Sequence, residues 1–219
     1  MRIRKILLLA ATFCAACSVE AAGIGVRAGT MGVGVDFGWS LAPTLSARIG
    51  YSGLSYKTTL EETDISYDTK LKLSNLNGFL DWSPLGPFRI TAGIIGNGSK
   101  ADMTGMPAGG TFTINGVPYN AADVGTLSGS VEPGSSAAPY LGIGYGNVAG
   151  AGVNFYFDLG VIFQGAPTAS LSASCGPAVP PAQCTQIRND VAAEQQRLQE
   201  KLDKYKVFPV LNIGVTIGF

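Results

Sequence analysis

The sequence contains no histidine among its 219 residues. Histidine is the usual proton acceptor near neutral pH, and a hydroxyl nucleophile depends on such a base. The stretches GVGVDFG and GIGYG resemble phosphate-binding loops, but they lie in alternating segments that lead into no helix. We therefore expect no enzymatic activity, no catalytic residue and no cofactor.

Charge and long apolar runs are also scarce. Only 14% of the residues are charged, while the mean hydropathy is +0.25 and glycine occurs 30 times. Beyond the N-terminal region no segment approaches the roughly 20 apolar residues of a membrane-spanning helix. The low charge argues against nucleic-acid binding, which needs a basic surface. An apolar, glycine-rich chain without such a helix fits strands that place one face in lipid.

The N-terminal residues MRIRKILLLAATFCAACSVEAAG have the pattern of an export signal. Three basic residues precede a short apolar run, and Val19-Glu20-Ala21 offers small residues at a cleavage site. We predict a cleaved signal peptide over 1–21, followed by one domain over 22–219. Lipoprotein processing at Cys17 is the alternative, although Cys14 stands where such motifs usually have leucine. Removing the signal leaves 12 basic and 14 acidic residues.

Apolar and small or polar residues alternate with a period of two along most of the chain, as in half-buried strands. The segments are MGVGVDFGWSL, TLSARIGYS, KLKLSNLNGFLDW, FRITAGIIGN, PYLGIGYGN, VNFYFDLGVIFQ and VFPVLNIGVTIGF. An eighth, GIGVRAGT, has the opposite phase to its successor, which indicates a turn or a bulge between them. We choose the turn, because single-chain bacterial barrels have even strand numbers. A phase change near Ser74 predicts a bulge within one strand.

Short connections alternate with long ones, as in transmembrane barrels. The sequence therefore predicts an all-β fold, an eight-stranded antiparallel transmembrane β-barrel with long extracellular loops at 99–136 and 165–206. Asn115-Gly116 indicates a hairpin in the first loop. The second contains an amphipathic helix starting near Gln186. This helix either binds a partner or caps the barrel, or it is a charged, solvent-exposed loop helix that lies against the barrel rim.

Charged residues fall on the polar side of several strands, where they face the inside of the barrel. Because eight strands leave only enough room for side chains, these charges must pair. They form either a closed network that plugs the lumen or a polar path for small solutes. The predicted lumen charge network consists of Asp36, Arg48, Asp81, Arg89 and Asp158.

Cys175 and Cys184 remain after the signal is removed, and they flank the stretch GPAVPPAQ. In an exported protein a near pair of this kind predicts a structural disulfide. A C-x8-C pair without histidine is a poor metal motif, so we expect no metal site.

The signal, the glycine-rich strands, the loop rhythm and the terminal Phe219 resemble the small outer-membrane barrels of the OmpA, OmpX and OmpW type. The resemblance implies a Gram-negative outer membrane, a lipid environment and recognition of the last strand by the barrel-assembly machinery. The residues that match this role are Phe219, Ile217 and Val215, with Ile213 before them. We expect a monomer with a structural or surface-interaction role, or alternatively a narrow, porin-like channel for small polar solutes or ions.

Overall fold

The computed structural model describes residues 21–62, 65–107 and 110–219. Apart from Ala21, the predicted signal peptide lies outside the described residues. The elements are β1 (Ala22–Gly29), β2 (Gly32–Ala42), β3 (Leu45–Glu62), β4 (Ile65–Leu85), β5 (Phe88–Asn97), β6 (Lys100–Pro107), β7 (Thr111–Ile114), β8 (Val117–Asn120), β9 (Val124–Glu132), β10 (Ala137–Tyr145), β11 (Gly152–Ile162), β12 (Thr168–Cys175), α1 (Pro181–Leu202) and β13 (Phe208–Gly218).

Eight strands close into an antiparallel ring, which confirms the predicted barrel. Its order is β1, β2, β3, β4, β5, β10, β11 and β13, and β13 returns to pair with β1. The closing pair runs from Gly23 opposite Gly218 to Gly29 opposite Asn212. The segment GIGVRAGT is therefore a separate strand, β1, which turns tightly at Thr30 and Met31 into β2.

Glycines on the inner face of the ring make room for large inward side chains. A Cβ atom on Gly50 would lie 1.9 Å from Asp36 Oδ1, and one on Gly214 would lie 2.3–2.6 Å from the Tyr156 ring. Both distances are far below any tolerated contact. At these two positions glycine therefore leaves room for a charged or aromatic side chain from another strand.

The outer face of the ring is a continuous apolar band. Its exposed members include Ile24, Val35, Ile49, Leu80, Ile90, Ile143, Leu159 and Ile213. Such a surface belongs in lipid rather than in water. Aromatic residues mark the end of the ring that has short turns, where Trp82, Phe88 and Tyr145 are exposed. Among the described helices, none is long and apolar enough to cross a membrane.

On one side of the ring the strands continue past its rim. We call this extension the raised wall, and the part of the rim that carries it the raised rim. Strand β4 pairs with β5 over Asn75–Leu85 and with β6 over Ile65–Lys72, and the sheet continues through β9 to β12. The predicted bulge near Ser74 is wrong, because the β3–β4 register is unbroken there. Near Ser74 the neighbour of β4 changes from β5 to β6, and the surroundings of its inner face change as well. The inward positions of β4 therefore change from polar residues to Leu73 and Leu71.

The helix α1 and the β7–β8 hairpin pack against the inner face of this raised wall. The helix starts at Pro181, a few residues earlier than predicted. Ile187 and Val191 are buried against Ile114, Tyr119 and Val124. Asn115 and Gly116 form the hairpin turn with positive φ angles of 53° and 79°. The disulfide between Cys175 and Cys184, with Cα atoms 5.7 Å apart, joins the end of β12 to the first turn of the helix.

A charge in the apolar band should destabilise the barrel. Ile143 is 59% exposed and lies between Ile90 and Leu159 on the neighbouring strands. We expect Ile143→Arg to cost about 2–4 kcal/mol, because the guanidinium would sit near the middle of the hydrocarbon layer. Denaturant unfolding of the refolded barrel in lipid vesicles measures this cost. Ser172→Arg, on the polar outer face of the raised wall, is the matched control and should leave stability unchanged.

Candidate functional site

Four of the predicted lumen charges form one tetrad inside the ring. Arg48 Nη1 lies 2.8 Å from Asp158 Oδ2, and its Nε lies 3.0 Å from Asp81 Oδ2. Arg89 Nη2 lies 2.5 Å from Asp158 Oδ1, and its Nε lies 3.6 Å from Asp81 Oδ1. The Nε contacts are ion pairs rather than directed hydrogen bonds. Two positive and two negative charges from β3, β4, β5 and β11 therefore cancel at one level of the lumen.

A second cluster contains Asp36, which contacts neither Arg48 nor Arg89. Arg27 Nη1 donates to Asp36 Oδ1 at 3.0 Å, and its Nη2 donates to Asn77 Oδ1 and, at 3.3 Å, to Ser52 Oγ. Tyr156 Oη donates to Asp36 Oδ2 at 2.6 Å. Arg27 thus gives the third carboxylate its counter-charge, and the three arginines and three aspartates leave no net charge.

Aromatic rings fill the space between the two clusters. The guanidinium carbon of Arg48 lies 5.0 Å from the centre of the Phe79 ring and 5.5 Å from that of Tyr156. The corresponding atom of Arg89 lies 5.4 Å from the Tyr156 ring. These distances suit cation–π contacts. All six charged side chains are at most 3% exposed, so water hardly reaches this part of the lumen.

An apolar layer covers the charged layer on the side of the raised rim. Met31, Ile95, Ile162 and Val210 point inward from four positions around the ring and are at most 1% exposed. Phe79 and Tyr140 complete the layer with ring centres 4.7 Å apart. An ion that moved along the barrel axis would have to lose its hydration to pass these side chains.

The connection at 146–151 closes the opposite end of the ring. Val148 and Ala149 are buried, although they belong to a turn between two strands. A Cβ on Gly38 would lie 2.9 Å from Val148 Cγ1, and one on Gly23 would lie 2.2 Å from the Val148 carbonyl oxygen. The turn therefore reaches from β10 and β11 across the mouth to β1 and β2. Arg89 Nη1 donates to the Gly146 carbonyl at 2.5 Å, which ties this turn to the tetrad.

Above the apolar layer lies a vestibule, a cavity of about 160 Å³ between the barrel mouth and the raised wall. Leu71, Leu73, Val131 and Phe208 form much of its surface, and amide groups contribute as well. Asn97 Nδ2 donates to Gln164 Oε1 at 3.4 Å in its lining. Met31 and Ile162 form its floor, so the cavity stops at the apolar layer.

Two central lumen residues, Arg27 and Tyr156, are absent from the charge network predicted from the sequence. Arg27 lies on the polar side of GIGVRAGT together with Gly25 and Gly29, so the alternation contained its signal. The opposite phase of that segment obscured it. Tyr156 lies on the polar side of its strand, but its residue type alone did not indicate a part in the charge network of the lumen. Its hydroxyl is fixed by Asp36, which no spacing along the chain indicates.

The residues predicted to form the assembly signal lie on the outer face of β13. Phe219 is 74% exposed and Ile217 is also exposed, while Val215 is half-buried. The backbone of Phe219 exchanges two hydrogen bonds with Ala22, at 2.7 and 2.9 Å. These three side chains therefore face outward in the closed barrel, at the end with the short turns.

Removing one carboxylate of the tetrad should be far more costly than removing a surface carboxylate. Asp158→Ala leaves Arg48 and Arg89 with one shared partner in a dry interior, and we expect a loss of about 3–5 kcal/mol. Unfolding in denaturant with detergent-solubilised barrel measures this loss. Asp102→Ala, which removes an exposed partner of Lys100, is the control and should change stability little. Equal effects of the two substitutions would contradict a dry tetrad.

Comparisons with known proteins support the fold and nothing finer. No family model matches the chain, and no curated protein matches it significantly. The crystal structure of Acinetobacter baumannii CarO is similar with a TM-score of 0.60 and 23% identity, covering 90% of this chain and 97% of that one. Acinetobacter baumannii CarO2 gives a TM-score of 0.58 and 18% identity, with 91% and 98% covered.

A third solved structure is a major outer membrane protein from Thermus thermophilus. It is 17% identical and covers 90% of this chain and 99% of that one, but its TM-score of 0.42 is too low to support a shared fold. The ring, its apolar outer face and the two CarO structures agree with the resemblance inferred from the sequence. The chain therefore has the fold of the small outer-membrane β-barrels, an antiparallel ring of eight strands with one helix in its last long connection.

Proposed function

We propose that this protein is an integral outer-membrane barrel with a closed lumen, whose raised rim serves as a structural or interaction surface outside the cell. The observation that carries the proposal is the stack of three layers inside the ring. The Val148 turn, the charge-neutral Arg–Asp layer and the apolar layer follow one another along the axis. Together these layers exclude hydrated ions.

The balance of charges supports a plug rather than a conducting path. A pore for one kind of ion needs a ring of like charge or a water-filled route. Here every carboxylate in the lumen touches an arginine, and their side chains are at most 3% exposed. The arginine and aspartate side chains of the lumen already bind each other, so they are not available to bind a passing solute.

The raised rim supports the proposed surface role. Its outer face carries serine, threonine, lysine and acidic side chains, and the exposed side of α1 is charged. Outer-membrane barrels carry their long connections outside and their short turns in the periplasm. The disulfide between Cys175 and Cys184 in this region suits an oxidising compartment. We therefore assign the raised rim to the cell surface and the apolar outer face of the ring to lipid. We expect the protein to act as a monomer.

Conductance separates this proposal from the alternative, a narrow channel. We expect the wild type to show no current steps in a planar bilayer. The pair Arg48→Ser with Asp158→Ser removes one charge of each sign and leaves Arg89 beside Asp81, so it should give a small, measurable current. Lys100→Ser with Asp102→Ser removes an ion pair outside the ring and is the control. A conducting wild type whose current the lumen pair does not change would favour the channel.

We also propose that the barrel-assembly machinery recognises Phe219 together with Ile217 and Val215. Deleting Phe219 should lower the amount of heat-modifiable, assembled barrel several-fold, because the strand would lose its terminal aromatic signal. Quantification of folded and unfolded bands on unboiled gels measures this. Phe155→Ala is the matched control, since Phe155 is 72% exposed on the same apolar face. An equal loss in both variants would mean that Phe219 contributes only lipid contact.

A further inference from the structure

The vestibule contains apolar surface that the rest of the protein leaves uncovered. Leu71 faces inward from β4 and is nevertheless 36% exposed, and Leu73, Val131 and Phe208 around it are only half-buried. Lipid does not cover these side chains, because they face the inside of the barrel mouth and of the raised wall. Apolar side chains that line a concave site and remain open to water are typical of a small-molecule pocket.

One polar side chain in the lining of the vestibule has a donor without a partner. Gln164 is 8% exposed, and its Oε1 accepts a hydrogen bond from Asn97 Nδ2 at 3.4 Å. Within the described ranges no acceptor binds Gln164 Nε2, and this atom remains accessible from the cavity. Leaving a buried donor without an acceptor is unfavourable, so the amide favours an acceptor group on a bound molecule.

The neighbouring amide offers an acceptor. Asn97 Oδ1 accepts one hydrogen bond, from the Ser99 N–H at 3.1 Å, and an amide carbonyl can accept a second. Because Gln164 and Asn97 lie side by side, a hydroxyl group between them can accept from one amide and donate to the other. A hydroxyl is the simplest group that uses both.

The charged residues at the edge of the vestibule neutralise each other. Lys100 Nζ lies 3.0 Å from Glu132 Oε1 and 3.3 Å from Asp102 Oδ1. These contacts, with Glu132 first, raise the pKa of Lys100, so its ammonium group stays charged and occupied. The other polar side chains of the lining carry no charge. They are Thr30, Asn75, Asn97, Ser99 and Gln164. Such a lining favours a neutral molecule over an anion or a cation.

We propose that the vestibule binds a small neutral aromatic alcohol, a single ring with one hydroxyl group. An apolar cavity of about 150 Å³ accommodates benzene, and the vestibule measures about 160 Å³. The ring packs against Leu71, Leu73 and Val131, while the hydroxyl accepts a hydrogen bond from Gln164 and donates one to Asn97. Because the apolar layer closes the floor, the molecule stops there. This binding site adds to the proposed surface role and requires no passage through the barrel.

Phenol binding to the full barrel in lipid nanodiscs tests the proposal, with NMR of the Leu71, Leu73 and Val131 methyl groups as the readout. Their signals should shift with added phenol and reach saturation, whereas partition of phenol into lipid gives shifts that rise without saturation. Gln164→Leu should weaken phenol binding about tenfold, because one hydrogen bond to the hydroxyl is lost. The same variant should bind toluene, which has no hydroxyl, at least as well as the wild type does.

A second variant and a charged probe test the place of the site and its neutrality. Ala101 lines the cavity, so Ala101→Phe puts a ring into the space and should abolish saturable binding of both compounds. Benzoate has the same ring with a carboxylate, and it should bind at least tenfold more weakly than phenol. The matched control is Gln196→Leu, the same change on the exposed side of α1, which should bind phenol and toluene as the wild type does.

Each measurement has an outcome that would overturn the proposal. Shifts that never saturate in the wild type would mean partition into lipid only, and saturable binding that survives Ala101→Phe would place the site elsewhere. Unchanged phenol binding by Gln164→Leu, or an equal loss of phenol and toluene, would show that the amide does not contact the hydroxyl. Benzoate binding as tight as that of phenol would rule out a site for a neutral molecule.

Discussion

The pairing of arginine with aspartate inside a narrow ring is the constraint on which the rest of the barrel depends. Eight strands enclose a space just wide enough for side chains, and an unpaired charge there would cost several kcal/mol. Arg48, Arg89 and Arg27 therefore each meet a carboxylate from another strand. Glycine makes room for such a side chain, as Gly144 does opposite Arg89, whose Nε would lie 2.7 Å from a Cβ at that position. The composition of the inner face, rich in glycine with a few large residues, follows from this requirement.

The ring was predictable from the sequence because its two faces contact such different surroundings. Alternation identified eight strands and placed Asp81 and Asp158 inside, since a charge in an otherwise apolar alternating segment must point away from lipid. The partners were less predictable. Whether Asp36 meets Arg48 or Arg27 depends on strand stagger around the closed ring, which local periodicity does not contain. Arg27 was overlooked for a different reason, the opposite phase of its segment, although its position in β1 matches the inward glycines.

Strand β4 shows how one uninterrupted strand can serve two environments. Its 21 residues extend about 70 Å at ~3.3 Å per residue, more than twice the length that a tilted strand needs to cross the hydrocarbon layer. From Asp81 in the lumen to Leu71 in the vestibule, its odd positions face inward. The hydropathy of each face reverses above the membrane, because the inside becomes the apolar core of the raised wall and the outside meets water and headgroups. A reversal of this kind looks like a bulge in the sequence, yet the register does not change.

The raised wall has an edge that the ring does not have, and α1 covers it. Within the part of the chain that the structure describes, strand β12 has no further strand beside it, so its backbone N–H groups would be open to pairing with another chain. Gln195 Oε1 accepts from the Leu171 N–H at 2.9 Å, and Gln199 Oε1 accepts from the Ala169 N–H at 3.0 Å. The helix is held in place at its first turn by the disulfide and further along by Asp190, whose pKa is lowered mainly by its hydrogen bond from Tyr119. Two glutamines spaced one turn apart thus replace a neighbouring strand, and the long helix needs no bound partner to account for its place against the rim.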